Sequence, residues 1–158
     1  MRMCAIVATQ SSARGVVCDV PPALYPLLVQ RKSQIAVGEL LAVCLAFRHF
    51  PEALAGESLI SFVDNIAVIH IIVNGAASVP DLSVFAQALH RRIAELGISV
   101  WWEYVPSASN ISDGGSRVGC SDPTALEAGI PLTEVTLCMP PDGFPASHPN
   151  AWRDFWRP

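Results

Sequence analysis

Charged side chains are scarce in this chain: they make up 15% of its 158 residues, and the formal net charge is −4. A broad basic surface of the kind that dominates nonspecific nucleic-acid binding is therefore excluded, and any such contact must be local or supplied by a partner. Cysteine pairing is lacking too. Cys4, Cys18, Cys44, Cys120 and Cys138 are odd in number, widely spaced and free of any C-x-x-C, which argues against a disulfide framework or a zinc site and fits a reducing compartment. No apolar run approaches the roughly 20 residues that span a bilayer. The apolar start at residues 4–8 is too short for a secretory signal before the polar Thr9-Gln10-Ser11-Ser12. The expectation is a soluble, intracellular chain with no membrane partner. Neither G-x-G-x-x-G nor G-x-x-x-x-G-K-S/T occurs, so nothing supports a phosphate-cradling loop. His49, His70, His90 and His148 show no metal-ligand spacing, and His70, within an apolar stretch, reads as a satisfied structural histidine.

What is present is apolar residue in quantity, 51% of the chain, enough to bury one core without disulfides or a structural metal. Short β-prone runs at 4–9 and 16–20 predict two strands joined by a hairpin turn, and Pro21, Pro22 and Pro26 exclude helix and central strand after them. Val37, Leu40, Leu41, Cys44, Leu45 and Phe47 recur at helical spacing, which predicts a helix over 35–50 ending at Pro51. Residues 59–63 form a continuous, mostly apolar run, as expected of a strand buried on both faces. Residues 65–74 read as an apolar helix stopped by Gly75, although their β-branched content would also suit a strand. A second long helix starts near Pro80, carries Leu82, Phe85, Leu89, Ile93 and Leu96 on one stripe, and ends at Gly97. A strand follows over 98–105, with Trp101 and Trp102 on opposite faces so that at least one belongs to the core, and then a turn leading to a short helix around Asp113. Seven of the thirteen prolines lie beyond Val118, so residues 119–158 read as a Pro-rich tail behind a domain of residues 1–118. Trp152, Phe155 and Trp156 in that tail suit docking or a partner site as well as an extended segment.

Three carboxylates occupy positions that chemistry could use: Glu39 on the first helix, Asp64 closing the apolar strand, and Asp113 after the last strand. Active sites of α/β sheets form beyond the carboxyl ends of the strands, which favours Asp64 over an acid on a polar face. Clustered carboxylates hold hard divalent cations that activate water and stabilise the leaving oxygen in phosphodiester cleavage. Each acid also has a plain structural reading: Glu39 as a glutamate near a helix start, Asp64 as an N-cap, Asp113 as the cap of a short turn. The small cluster His90-Arg91-Arg92 suits a helix C-terminus and could also meet a phosphate.

The local contexts of these acids resemble one family. Gln34-Ile35-Ala36-Val37-Gly38-Glu39-Leu40-Leu41-Ala42-Val43 is similar to the helix motif of retrotransposon ribonuclease H domains, in which Ile precedes a catalytic Glu followed by Leu and Ala. Phe62-Val63-Asp64-Asn65 resembles their strand motif, and Val105-Pro106-Ser107-Ala108-Ser109-Asn110-Ile111-Ser112-Asp113-Gly114-Gly115-Ser116-Arg117 resembles their closing segment, approximately V-P-x-x-x-N-x-A-D-x-x-S-R. The motifs stand in the family's order across residues 4–117, nearest in pattern to the gypsy-like and tyrosine-recombinase retroelements. The resemblance implies an α/β fold, a mixed five-stranded sheet with helices on its faces and its first three strands antiparallel. It implies Mg²⁺ or Mn²⁺, two ions, held by Glu39, Asp64 and Asp113. It also implies hydrolysis of the RNA strand of an RNA–DNA hybrid, a reverse transcriptase domain in the same polyprotein, and nucleic-acid contacts at Asn65, Asn110 and Arg117.

The family's first strand, which carries a fourth acid, has no counterpart here: residues 4–9 match the second strand and 16–20 the third. Asp19 is no substitute, because a separation of twenty positions from Glu39 cannot hold two further strands and the prolines among them. Ser112 stands where Ala is usual, and Gly114-Gly115 where bulkier residues are common, which is expected to loosen the backbone around Asp113. A missing strand leaves an unpaired edge and a poorer metal cage, so two functions compete: an active ribonuclease H, or a catalytically inactive remnant serving as a binding or interaction module. Filling of the gap by the tail or by a second copy is the expected route to self-association. An unrelated α/β domain binding a nucleotide or protein ligand is a distant third reading.

Overall fold

The computed structural model describes residues 1–137 of the chain. It is a mixed α/β structure, with β1 (Arg2–Ala8) and β2 (Ala13–Asp19) forming an antiparallel hairpin in register from Arg2 opposite Asp19 to Ala8 opposite Ala13. The turn closes because the Thr9 amide donates to the Ser12 carbonyl (2.7 Å) while the Thr9 hydroxyl accepts from the Ser11 and Ser12 amides. Both strands begin earlier than their apolar runs alone suggest.

The first long helix, α1 (Ile35–His49), is followed at once by the short α2 (Pro51–Leu54), whose leading proline suits a first-turn position. Then come β3 (Ser58–Val63), α3 (Ile66–Asn74), α4 (Pro80–Leu96) and β4 (Ser99–Tyr104), with β3 and β4 paired in parallel. The helical reading of the 65–74 stretch holds. Its N-terminus is capped by Asn65, and Gly75 (φ 65°) ends it in the left-handed conformation that a side chain would resist. The last described segment comprises α5 (Ser112–Val118), α6 (Pro123–Glu127) and β5 (Leu132–Glu134), which pairs in parallel with β2. Residues 119–137 are thus not set apart as proline content suggested: Ala125, Ile130 and Leu137 are buried and β5 extends the sheet. Trp152, Phe155 and Trp156 lie outside the described residues.

One core serves the whole molecule. α1, α3 and α4 contribute Leu41, Leu45, Val68, Ile72, Phe85 and Leu89, and they meet Met3, Ala5, Val16 and Cys18 from the inner faces of β1 and β2. The opposite face of β1 is covered by α5, which approaches so closely at Gly115 that an added Cβ would lie 2.5 Å from Cys4 Sγ. Gly115 therefore serves close packing there, and Gly114 lies against the buried Asp122 carboxylate, which gives a structural reason for the departure at 114–115. The loop before α1 is tied to α4 by buried Asp81, whose carboxylate accepts from the Val29 amide (3.0 Å) and the Leu82 amide (2.8 Å) and pairs with Arg31.

Three sequence expectations need correction. β3 is not buried on both faces: Ile60 is 64% and Phe62 60% exposed, because the described residues place helices only on its other face. His70 is exposed and has no structural partner among the described residues, since the buried stripe of α3 runs through Val68 and Ile72. His90 and Arg91 sit inside α4 rather than in its last turn, with His90 Nε2 donating to the Ile72 carbonyl. Of the two tryptophans, Trp102 packs on the core beside Phe47 and Trp101 faces outward at 66% exposure.

Candidate active site

The sheet is divided. Among the described residues β1 bonds only to β2 and β3 only to β4, giving one sheet of order β1-β2-β5 and a second of order β3-β4. Between β1 and β3 lies a groove of about 330 Å³, floored by α1 and lined by Glu39, Asp64 and Asp113 together with Asn110 and Ser116. The three carboxylates named from the sequence thus share one cavity.

Each reaches it by a different element. Glu39 projects from the early part of α1 and is partly buried; its Oε2 lies out of solvent with no hydrogen-bond partner. Burial pushes the Glu39 carboxyl above the usual carboxylate range and the neighbouring Asp64 pushes it further, while the Asn65 side chain acts in the opposite sense. Asp64 follows the last residue of β3. It is not the N-cap of α3: Asn65 Oδ1 takes that task, accepting from the Ala67 amide at 2.9 Å, which leaves the Asp64 carboxylate beside Glu39.

Asp113 is held differently. It lies in the first turn of α5, where Arg117 one turn later donates to both its oxygens, Nη2 to Oδ2 at 2.7 Å and Nε to Oδ1 at 3.3 Å. It does not cap its helix, because Asn110 Oδ1 turns the chain into α5 by accepting from the Ser112 amide (3.1 Å) and hydroxyl (2.8 Å). The serine at 112 therefore has a local partner that alanine could not supply. Asn65, Asn110 and Arg117, all expected at nucleic acid, have these intramolecular partners in the structure.

As they stand, the described residues hold no group of three or more His, Cys, Asp or Glu side chains placed to hold a metal ion. Glu39 and Asp64 do fit one hard cation: both are oxygen donors, they repel each other, and the solvent-shielded Glu39 Oε2 lacks a partner. Asp113 lines the same cavity but has its carboxylate paired with Arg117. Sequence reasoning missed this ion pair, though its i,i+4 spacing was readable once a helix was placed over 112–118. The groove lies where β1 and β3 do not pair among the described residues, at the kind of unpaired edge expected from the sequence.

The chain matches no protein-family model, no curated protein and no solved structure. No described helix is long and apolar enough to cross a membrane.

Proposed function

We propose that this chain is a ribonuclease-H-like domain of retroelement origin, which hydrolyses the RNA strand of RNA–DNA hybrids with Mg²⁺ or Mn²⁺ and works beside a reverse transcriptase domain of the same polyprotein. The observation that carries this reading is the convergence of Glu39, Asp64 and Asp113, from three separate elements, on one groove at the carboxyl end of β3. The order of elements supports it as well: an antiparallel hairpin, a helix bearing the glutamate, then two parallel strands connected through helices. Glu39 and Asp64 would hold the divalent ions, with Asp113 as a third ligand. Bound there, such ions supply an activated water and charge relief at the leaving oxygen. The chain's own contribution is to hold these oxygens on a packed helix and a strand end, and to offer Arg117 a phosphate once Asp113 is engaged elsewhere.

A second reading, an inactive module that binds without cutting, is favoured by the Asp113–Arg117 pair, because a carboxylate already neutralised by a guanidinium is a poor ligand. The two are separated by incubating the purified chain with an end-labelled RNA–DNA hybrid in Mg²⁺ or Mn²⁺. The nuclease reading expects cleavage that falls on the order of 10²–10³-fold in Asp64→Asn and Glu39→Gln. A folded protein that retains the hybrid in a mobility shift yet never cuts it establishes the binding module; one that does neither sinks both.

A further inference from the structure

The parallel pair β3 and β4 uses one of its two faces. Leu59, Val100 and Trp102 pack on the core, whereas Ser58, Ile60, Phe62, Ser99, Trp101 and Glu103 alternate with them and point the other way. In the parallel register Ile60 stands opposite Trp101 and Phe62 opposite Glu103, so three large apolar side chains, each at least 60% exposed, form one patch. Trp101 Nε1 donates to Glu103 Oε2 at 3.1 Å, which satisfies its polar atom and leaves the ring faces open. β1 also turns a face away from the core, but there α5 covers it. A contiguous apolar patch of this kind marks a surface used for binding.

The chain itself holds a segment of matching chemistry. Trp152, Phe155 and Trp156 stand at i, i+3 and i+4, the spacing of one helical face, with Arg153 and Arg157 set off it. That spacing does not alternate, so it suits a flat apolar face better than a slot between strand edges. The charges match as well: of the six side chains on the open face Glu103 alone is charged, and Trp101 offers an arginine an open ring. Length permits the return. The Val135 amide donates to the Val17 carbonyl and Leu137 is buried beside Cys18, so the described chain leaves off next to the close of β2. From β2 to β4 is roughly 20–25 Å at about 4.8 Å per strand spacing, and the fourteen residues 138–151 reach about 45 Å when extended. We propose that residues 152–157 fold back within the same chain onto the outer face of β3 and β4, where Trp152, Phe155 and Trp156 cover Ile60, Phe62 and Trp101 and the two arginines lie beside Glu103. The inference stands on burial, pattern and reach, and does not depend on the nuclease reading.

The test uses the full chain and two sets of substitutions, one on each partner. Ile60→Thr with Trp101→Thr removes the patch, and Trp152→Ser with Phe155→Ser and Trp156→Ser removes the segment. Each set lowers the thermal midpoint by at least about 4 °C, and the two together lower it no further than the larger of the two, because either alone already breaks the contact. Labelling with 5-fluorotryptophan reads the same contact directly, with the Trp101 resonance assigned by its loss in Trp101→Phe. In the unsubstituted chain that resonance shifts little between H2O and D2O, and in the Ser variant it shifts as a solvent-exposed ring does. A Trp101 resonance equally exposed with and without the three tail aromatics overturns the proposal, as do midpoint losses that add. Covering of Trp101 that fades on dilution also overturns it, since the segment would then come from a second copy.

Discussion

At the scale of single residues, Glu39 shows how the groove trades stability for chemistry. Its carboxyl is partly buried beside Asp64, and both circumstances raise its pKa above the unfolded value. The sign follows from proton binding. Below the ordinary carboxylate range the group is protonated in both states and costs nothing, and stability is lost as pH rises through the raised native pKa, where the folded chain must ionise against its surroundings. Glu39→Gln keeps the shape and removes the charge. It is expected to raise the melting temperature by a few degrees near neutral pH and to leave it unchanged below about pH 4. A melting temperature lowered equally at both pH values would mean that the carboxylate is a structural partner and not a strained one. The same substitution removes a ligand in the nuclease reading, so a more stable but inactive variant is the pattern of a functional carboxylate.

At the scale of elements, the contact of α5 with β1 fixes where Asp113 stands. Cys4 points to the face of β1 opposite the main core, its thiol pushed up to about 12 by burial, and Gly115 lets the helix backbone rest directly on it. Gly115→Ala puts a methyl group 2.5 Å from Cys4 Sγ and 3.2 Å from Leu132 Cδ1, so the helix must shift or the strand must bend. Overpacking of this kind costs about 1–3 kcal/mol, read as a lower denaturation midpoint, and Cys4→Ala in the same chain should recover part of it; full stability in Gly115→Ala alone would show that α5 is not seated there. This element also marks the limit of what the sequence discloses. The long helices were legible because apolar residues such as Leu40, Leu41 and Leu45 recur at helical spacing, and the hairpin because two β-prone runs flank a polar turn. The three acids were legible through their local motifs. β5 was not, since Leu132-Thr133-Glu134 is three residues long and follows a proline, and its pairing with β2 depends on a distant contact rather than on local pattern. The exposure of Ile60 and Phe62 was hidden for the same reason: a continuous apolar run records what a strand can bury, not what is present to cover it.

At the scale of the molecule, two sheets that share no ladder hydrogen bond among the described residues raise the question of whether they unfold as one unit. The core argues that they do. Met3 and Cys18 from the hairpin, Val63 from β3, and Phe85 and Leu89 from α4 belong to a single cluster, in which α1 buries Val37, Leu40, Leu41, Leu45 and Phe47. Five such side chains at about 2 kcal/mol each represent some ~10 kcal/mol of burial, comparable with the whole stability of a typical domain. Neither sheet can leave α1 without exposing a large part of that surface, so partial opening costs nearly as much as complete unfolding. The slowest amides of Val17 in β2, Leu45 in α1 and Trp101 in β4 should therefore exchange through one global event, with equal free energies that fall in parallel as denaturant is added. Distinct free energies for Val17 and Trp101 would show that the hairpin and the parallel pair are separate units hinged on α1. A single value would mean that the groove between them is a fixed feature of the native state. Its width would then be set by the packing beneath it, and a substrate entering it would meet two rigid walls.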